Sequence, residues 1–326
     1  MRIGTNPEKE KFQKIQYKLH RVIIPVYIPN DSHDYFKNLD IVFYASINSL
    51  LKTIDAKQTN ITIINNNSTK EVTEFIDNLL CKGLIDKHVK YHWNYGKVYS
   101  ILQEARASYE DFITIADADV FFFNDWQNQV HRVFNEFNKV GVVGLTPDPH
   151  MAFYCNSSLI FSKFLAVKKG KIVDNYDLEL FEEGINNKYF FVNNNNNWKN
   201  KQYYLEKSDL KVVIGASHFA STYRKEVFNK LKIDKPIFVF PGGELNFLDL
   251  PIDKLGFYRV SLSRAYAYHM GNSVKQELMN YKTENSNIRC FNNKKNNFFL
   301  SNLGLLYSFK TMFARTVKFC FTQIIK

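Results

Sequence analysis

The run Phe112-Ile113-Thr114-Ile115-Ala116-Asp117-Ala118-Asp119 is the stretch of the chain that indicates its fold most clearly. Its first five residues are apolar or β-branched, which is typical of a strand buried on both faces. Two aspartates follow at once, where the carboxyl ends of strands in an open α/β sheet face the binding crevice. Beside the apolar run 120–123, two carboxylates are costly unless a cation lies between them, and Mg²⁺ or Mn²⁺ is the natural partner. The alternative is a pair of turn aspartates that cap the next helix.

Strand and helix patterns alternate upstream of this strand. Short apolar runs predict strands, and apolar residues at helical spacing predict helices. The predicted strands are 22–27, 60–64 and 89–91, and the predicted helices are 35–54, 71–81 and 99–108. This order predicts an α/β fold with a Rossmann-like, mostly parallel central sheet and helices on both faces.

The pattern changes after residue 123. Strands are predicted at 140–145 and 212–215, and a helix over 222–231. The polar stretch 174–211, which includes a tract of asparagines, is predicted to be a surface insertion, and the Asn-rich stretch 275–297 a linker.

The C-terminal residues have a basic amphipathic pattern. Apolar positions recur about every one or two helical turns, at Phe299, Leu303, Leu306, Phe313, Val317 and Ile324. The charged residues from 298 onward are all positive: Lys310, Arg315, Lys318 and Lys326. A basic amphipathic helix favours attachment to an anionic membrane surface, while packing on the body or on a second copy in a homodimer explains the pattern equally well. We therefore expect a body, residues 1–272, with halves at about 20–123 and 140–272, followed by a linker and helix, 273–326.

Composition narrows the functional classes. The 326 residues are 45% hydrophobic and 23% charged, so a packed core is expected, and the net charge of +11 favours anionic partners. Lys and Arg are spread along the chain, which argues against a nucleic-acid-binding module. Four separated cysteines without C-x-x-C spacing indicate reduced thiols and no zinc site: Cys81, Cys155, Cys290 and Cys320. No signal peptide and no long apolar run is seen, so we expect a cytoplasmic protein, or one at the inner face of the membrane.

Six short segments between residues 20 and 272 are more specific in their order and spacing than any one alone. They are Val22 to Tyr27, Ile63 to Ser68, Asn94 to Lys97, Gly215 with 223–228, Gly242-Gly243-Glu244-Leu245, and His269 to Asn272. Together with the D-x-D at 117–119, they resemble family 2-type glycosyltransferases with the GT-A fold. The resemblance implies a nucleotide-sugar half over 20–123 and an acceptor half over 140–272.

The resemblance implies a metal site and a catalytic base. Asp117 and Asp119 would hold the Mn²⁺ or Mg²⁺ that bridges the donor diphosphate, with His269 as the third protein ligand; an ordinary half-buried histidine is the alternative for His269. Glu244 stands where these enzymes commonly have Asp, and is the candidate general base. Asp249 is the nearby substitute, and a carboxylate favoured by a helix N-terminus is the other interpretation of Glu244.

The resemblance also implies binding residues for donor and acceptor. The family's Asp after the second strand is replaced here by asparagines, whose amides can still pair with a uracil or guanine edge. Donor-binding residues are expected to be Pro25, Val26, Tyr27, Asn65, Asn66, Asn67, Asn94, Lys97, Asp117 and Ala118. A weaker acceptor region comprises His218, Gly243 and Glu244.

These observations predict an inverting glycosyltransferase of the hexosyl- or N-acetylhexosaminyl-transferase class. Its donor would be a UDP- or GDP-linked sugar, and its acceptor a hydroxyl of a glycan or lipid-linked glycan in surface-polysaccharide biosynthesis. A sugar-phosphate nucleotidyltransferase is the enzymatic alternative, although the segment 28–32 lacks the Gly-rich basic loop expected of one. A non-catalytic relative that binds polyanions or membranes is the other alternative, and it leaves Asp117, Asp119 and His269 unexplained.

Overall fold

The computed structural model describes residues 4–11, 14–193, 196–231, 243–289 and 304–323. Its strands are β1 (His20–Val26), β2 (Thr59–Asn65), β3 (Lys87–Lys90), β4 (Phe112–Ala116), β5 (Val120–Phe122), β6 (Val140–Gly144), β7 (Lys168–Gly170), β8 (Val192–Asn193), β9 (Asn196–Asn197), β10 (Gln202–Lys207), β11 (Leu210–Ile214), β12 (Ala220–Arg224), β13 (Tyr258–Leu262) and β14 (Ala267–His269). Its α-helices are α1 (Leu39–Thr53), α2 (Lys70–Cys81), α3 (Lys97–Ala107), α4 (Trp126–Glu136), α5 (Ser157–Lys163), α6 (Asn175–Gly184), α7 (Lys225–Lys230), α8 (Leu250–Lys254), α9 (Gln276–Met279) and α10 (Gly304–Gln323).

Ten strands form one sheet in the order β3-β2-β1-β4-β12-β6-β13-β11-β10-β7. β3, β2, β1 and β4 are parallel to one another, and β13 is parallel to β6. β12 lies antiparallel between β4 and β6, and antiparallel pairing continues through β11, β10 and β7. Only β12, β11 and β7 therefore run against the common direction of this sheet, which confirms the predicted mostly parallel sheet.

Helices cover both faces of the sheet, as predicted. Ile24 of β1 packs in the core formed with α1, α2 and α4, whereas its neighbour Ile23 packs in the core formed with α3 and α7. Both side chains are fully buried. Burying an isoleucine side chain stabilises a fold by about 1.5–3 kcal/mol, so packing on both faces of β1 contributes to the stability of the body.

Two predictions for the second half of the body are wrong. The predicted helix 222–231 begins as a strand, because Thr222 and Tyr223 pair with β4 on one side and β6 on the other, and α7 starts only at Lys225. The predicted surface insertion 174–211 contains α6 and β10, and β10 extends the central sheet. Its buried Tyr203 and Leu205 alternate with more polar neighbours, a strand pattern that the polar composition concealed.

The described part of the predicted linker contacts the body. The backbone N–H of Glu284 donates to Asn124, that of Ile288 to Asp55, and that of Arg289 to Asn128. The predicted boundary at residue 272 stays a prediction. The following predicted positions lie outside the described residues: Gly242, Cys290, Phe299, Leu303, Ile324 and Lys326. Within the described chain, no helix combines the length and apolar character needed to cross a bilayer.

Candidate active site

A cleft of about 1140 Å³ opens at the carboxyl ends of β1 and β4. Most of the predicted site residues line it, although they come from segments far apart in the chain. These are Pro25, Val26, Tyr27, Asn66, Asn94, Lys97, Asp117, Ala118, Asp119, Glu244 and His269. The remaining predicted residues are not part of its lining: Asn65, Asn67, His218, Gly243 and Asp249.

The pairing of two short strands brings His269 to the aspartates. β14 runs antiparallel to β5, so His269 lies opposite Val120, and the N–H of Met270 donates to the Asp119 carbonyl at 2.8 Å. His269 Nε2 is then 3.3 Å from Asp119 Oδ2. A carboxylate oxygen of Asp117, a carboxylate oxygen of Asp119 and a ring nitrogen of His269 lie within 4.8 Å of one another.

The second ring nitrogen of His269 is held by the main chain. Nδ1 donates to the carbonyl of Gly184 at 3.0 Å, which fixes the tautomer and leaves Nε2 as the nitrogen that faces the carboxylates. A glycine is required at position 184, since a Cβ there would lie 2.7 Å from the His269 carbonyl oxygen. The end of α6 therefore orients the imidazole.

The carboxylate of Asp119 is only partly compensated by the groups around it. Its Oδ1 is buried without a hydrogen-bond partner. The pKa of Asp119 is raised to about 6, because burial raises it more than the charge of His269 lowers it, and the charge of Asp117 adds to the rise. An orphaned oxygen, a second carboxylate and an imidazole nitrogen are a donor set that suits Mn²⁺ or Mg²⁺ with additional oxygen ligands from substrate. The residues present therefore fit a divalent cation.

Lys97 links the aspartates to Glu244. Its Nζ lies 2.5 Å from Asp117 Oδ1 and 3.5 Å from Glu244 Oε1, and also donates to the carbonyl of His218 at 3.3 Å. Burial acts to lower the pKa of Lys97, but Asp117 and Glu244 outweigh it and the pKa is raised. The ammonium group therefore stays charged inside the cleft. Gly96, which precedes it with a φ of 78°, makes the turn into α3.

The two candidate bases have different surroundings. Glu244 is partly exposed, with 31% of its side chain accessible, and faces the cleft. Asp249 is fully buried, forms an ion pair with Arg259 at 2.9 Å and is hydrogen-bonded to His218. Burial acts to raise the pKa of Asp249, but Arg259 and His218 outweigh it and the pKa is lowered. Asp249 thus stays ionised while its carboxylate is occupied within the protein.

The three asparagines at the end of β2 have different surroundings, and one of them lines the cleft. Asn65 is buried, with its amide NH₂ donating to Thr73 and its carbonyl accepting from the Ser68 N–H. Asn67 has a left-handed backbone with φ of 69°, as expected of a turn residue. Asn66 lines the cleft, and its Oδ1 accepts from Ser100. Of the three, Asn66 is the one within reach of a ligand there.

Sequence reasoning missed several lining residues. Gly184, Glu183 and Asn186 belong to a stretch predicted as an insertion, and Lys275 to a predicted linker. Lys275 Nζ pairs with Glu183 at 2.5 Å, which joins the two segments at the rim. Polar composition concealed all four, and no sequence signal distinguished them from solvent-exposed residues.

Comparison with known proteins assigns the family. The glycosyl transferase family 2 model matches residues 41–232, more than half of the chain, and the chain belongs to this family. The resemblance seen in the sequence is therefore confirmed, and the α/β architecture is the one that it implied. None of the curated proteins matches the chain.

Several solved structures resemble the fold distantly. A mannosyltransferase from Pyrobaculum calidifontis, PcManGT in complex with GDP-Man and Mn²⁺, matches with a TM-score of 0.43 and 11% identity over 76% of this chain and 55% of its own. TarS 1-349 of S. aureus matches with a TM-score of 0.42 and 14% identity, over 76% of this chain and 59% of its own. GalNAc-T7 with UDP, GalNAc and Mn²⁺ matches with a TM-score of 0.48 and 12% identity, over 77% of this chain and 43% of its own. The chain thus spans between about two fifths and three fifths of these proteins.

Proposed function

We propose that this protein is a divalent-metal-dependent glycosyltransferase that moves a sugar from a nucleoside diphosphate to a hydroxyl of a glycan or lipid-linked glycan. The transfer would be a single displacement with inversion, and the sugar a hexose or N-acetylhexosamine. The observation that carries the proposal is the convergence of Asp117, Asp119 and His269 in one large cleft with the half-buried cation Lys97.

Asp117, Asp119 and His269 would hold Mn²⁺ or Mg²⁺. When bound, such an ion neutralises negative charge on the diphosphate of the donor and of the departing nucleoside diphosphate. The orphaned Oδ1 of Asp119 supports this role, because an isolated buried carboxylate oxygen without a partner is costly. The hydrogen bond from Nδ1 to Gly184 supports His269 as a ligand through Nε2.

Lys97 would bind the donor diphosphate. A lysine that keeps its charge inside a cleft supplies a point charge that phosphate oxygens can approach. In the protein alone, that charge is compensated by Asp117 and Glu244. Donor phosphates would share Lys97 with these two carboxylates, and charge balance would then favour one further cation beside Asp117.

The nucleoside would bind between the ends of β1 and β2. Tyr27 is 39% exposed and lines the cleft with Pro25 and Val26, which provides an apolar surface for a base. Asn66 supplies an amide that can accept from and donate to the edge of uracil or guanine. UDP- and GDP-linked sugars are both consistent with this lining.

Glu244 would act as the general base that takes the proton of the acceptor hydroxyl as it attacks the anomeric carbon. Its partial exposure and its position in the cleft support this role, since a base must reach the acceptor. Lys97 Nζ lies 3.5 Å from Glu244 Oε1, so the candidate base is connected to the aspartates at the metal site. Asp249 would instead organise the wall beside His218.

The charge of the chain supports the proposed cellular setting. The net charge of +11 and the basic C-terminal helix suit a glycan presented at an anionic membrane, as in surface-polysaccharide assembly at the cytoplasmic face. These features support the setting without identifying the acceptor.

A thermal-shift screen of UDP, GDP and their sugar conjugates, with and without Mn²⁺ or Mg²⁺, tests the proposal. A ligand at a hundredfold excess over its Kd stabilises the native state by about 2.7 kcal/mol. We expect a metal-dependent shift with one nucleotide family, lost in Asp119→Asn and retained in the exposed control Asp209→Asn. Absence of any nucleotide shift in the wild type contradicts the proposal.

A further inference from the structure

Two segments distant in sequence, α10 and the region of α5, lie against each other. The side chain of Phe313 in α10 makes edge contacts with Phe161 and Phe164, at ring-centroid distances of 5.5 and 5.6 Å. On the same side of α10, Ala314 and Val317 are buried. These contacts fix one face of α10 on α5 and on the turn that follows it.

The flank of α10 beside this contact exposes large apolar side chains. In a helix, Phe309, Met312 and Phe319 project on one side, and they are 60%, 57% and 64% exposed. Leu165, directly after Phe164, is 97% exposed. The docking face is the name used below for the surface formed by Phe161, Phe164, Leu165, Phe309, Met312 and Phe319. Single exposed apolar residues are ordinary, whereas a cluster from two segments marks an interaction site.

The two segments that form the docking face carry only positive charges. Residues 156–173 contain four lysines and no carboxylate, and α10 contains Lys310, Arg315 and Lys318 and no carboxylate. Lys163, Arg315 and Lys318 are exposed. Apolar side chains beside the exposed cations Lys163 and Arg315 complement a surface that is apolar below and anionic at its rim, which is the arrangement of an anionic lipid leaflet. Lys168 is paired with Glu206 and is not among these cations.

A second copy of the chain is a poorer occupant. In a twofold dimer the same patch lies on both subunits, so the cations of one docking face would oppose the cations of the other. Like charges brought together across an interface cost several kcal/mol, whereas anionic headgroups offset the same charges.

We infer that the docking face binds the surface of an anionic bilayer, with α10 in the plane of the interface. The apolar side chains enter the boundary between headgroups and acyl chains, and Lys163 and Arg315 contact headgroup phosphates. The buried face of α10 keeps its contacts with the body: Tyr307 donates to Asp253 at 2.8 Å, and Asp253 caps α5 through the N–H groups of Ser157 and Ser158. Binding therefore requires no rearrangement of α10.

This inference is independent of the donor chemistry, and its test uses the full chain without nucleotide. The protein is sedimented with vesicles of phosphatidylcholine alone and of phosphatidylcholine mixed with phosphatidylglycerol. We expect binding to the mixed vesicles, weaker binding to the neutral ones, and weakening by added salt. Lys163→Glu with Arg315→Glu replaces two cations by two carboxylates, and the loss of each cation alone is worth roughly a fivefold change in partitioning.

The apolar contribution is tested with Leu165→Ser and Met312→Gln, whose parent side chains are mainly in solvent, so the fold is preserved. Leu84→Ser and Lys57→Glu are matched controls; both residues are exposed, and Leu84 lies between α2 and β3, at the opposite edge of the sheet. Reduced binding only in the docking-face variants supports the inference. Wild-type protein that stays in the supernatant, or variants that bind like the wild type, overturn it. A dimer in light scattering that Leu165→Ser dissociates assigns the face to a second copy instead.

Discussion

Lys97 Nζ lies 2.5 Å from Asp117 Oδ1, within a cleft where both side chains are less than one third exposed. The first residue of α3 is thereby held against the first aspartate of the D-x-D. Glu244, 3.5 Å from the same ammonium group, completes a bridge from the aspartates proposed to hold the metal to the candidate base. One cation therefore connects the groups proposed for donor binding and for acceptor activation.

Replacement of Lys97 by Met is expected to weaken binding of the nucleoside diphosphate. The side chain keeps a similar length but loses the charge that would face the diphosphate, and loss of one partner of a buried charge pair costs about 2–5 kcal/mol. We expect a fall in affinity of at least about tenfold in isothermal titration calorimetry. Lys70→Met, at an 81% exposed lysine, is the control and should bind like the wild type. Equal affinity in both variants would remove Lys97 from the donor site.

Gly184→Ala is expected to weaken metal binding although residue 184 is not a ligand. The added methyl group would approach the His269 carbonyl oxygen to 2.7 Å, so β14 must shift and the bond from Nδ1 to Gly184 is lost or lengthened. Loss of such a supporting contact typically lowers metal affinity about 10–100-fold. Mn²⁺ titration followed by thermal shift measures this effect.

Gly170→Ala is the matched control for that prediction. Its added methyl group would meet Tyr204 at 3.8 Å, an ordinary contact distance, so Mn²⁺ affinity should not change. If both glycine variants retain wild-type affinity, the contact between α6 and His269 does not orient a metal ligand.

Glu244→Gln and Asp249→Asn are expected to separate catalysis from stability. Asp249→Asn leaves the buried Arg259 without its anionic partner, which typically costs about 3–5 kcal/mol of the free energy of unfolding. Glu244→Gln should change stability little, since Glu244 is partly exposed, but should abolish transfer while nucleotide binding persists. Urea unfolding and a sugar-transfer assay measure the two effects. Full transfer by Glu244→Gln would exclude it as the base.

Asp148 is expected to make stability depend on pH. Burial raises its pKa to about 7, against the opposing charges of His218 and Arg259. A folded pKa above the unfolded value means that the native state binds the extra proton, so stability falls as the pH rises through about 7. Asp148→Asn should therefore gain stability relative to the wild type as the pH rises from about 4 to about 7, and keep that gain at higher pH. The exposed control Asp209→Asn should show no such gain in thermal unfolding; parallel curves for all three proteins contradict the prediction.

The sequence predicted the half of the fold in which local pattern and tertiary position agree. In β1, β2 and β4, a central run of apolar or β-branched residues is buried on both faces, so strand character is visible without knowledge of neighbours. At Thr222 and Tyr223 the same reasoning failed, because pairing with β4 and β6 overrides a pattern that reads equally well as helix.

The candidate site divides in a similar way. The sequence by itself determined the chemistry that is available: the aspartates at 117 and 119 directly after a buried strand, the histidine at 269, and the order of segments that places the chain in glycosyl transferase family 2. These features depend on residue type and spacing along the chain, which the sequence states directly.

Only the tertiary structure decided which of these residues meet. The register of β14 against β5 brings His269 to Asp119. The carbonyl of Gly184, from a stretch predicted to be an insertion, accepts a hydrogen bond from His269 and orients the imidazole. The structure also distinguished Glu244, which faces the cleft, from Asp249, which is enclosed by Arg259 and His218. Contacts between residues far apart in the chain depend on strand register and on close packing, and neither has a local signature in the sequence.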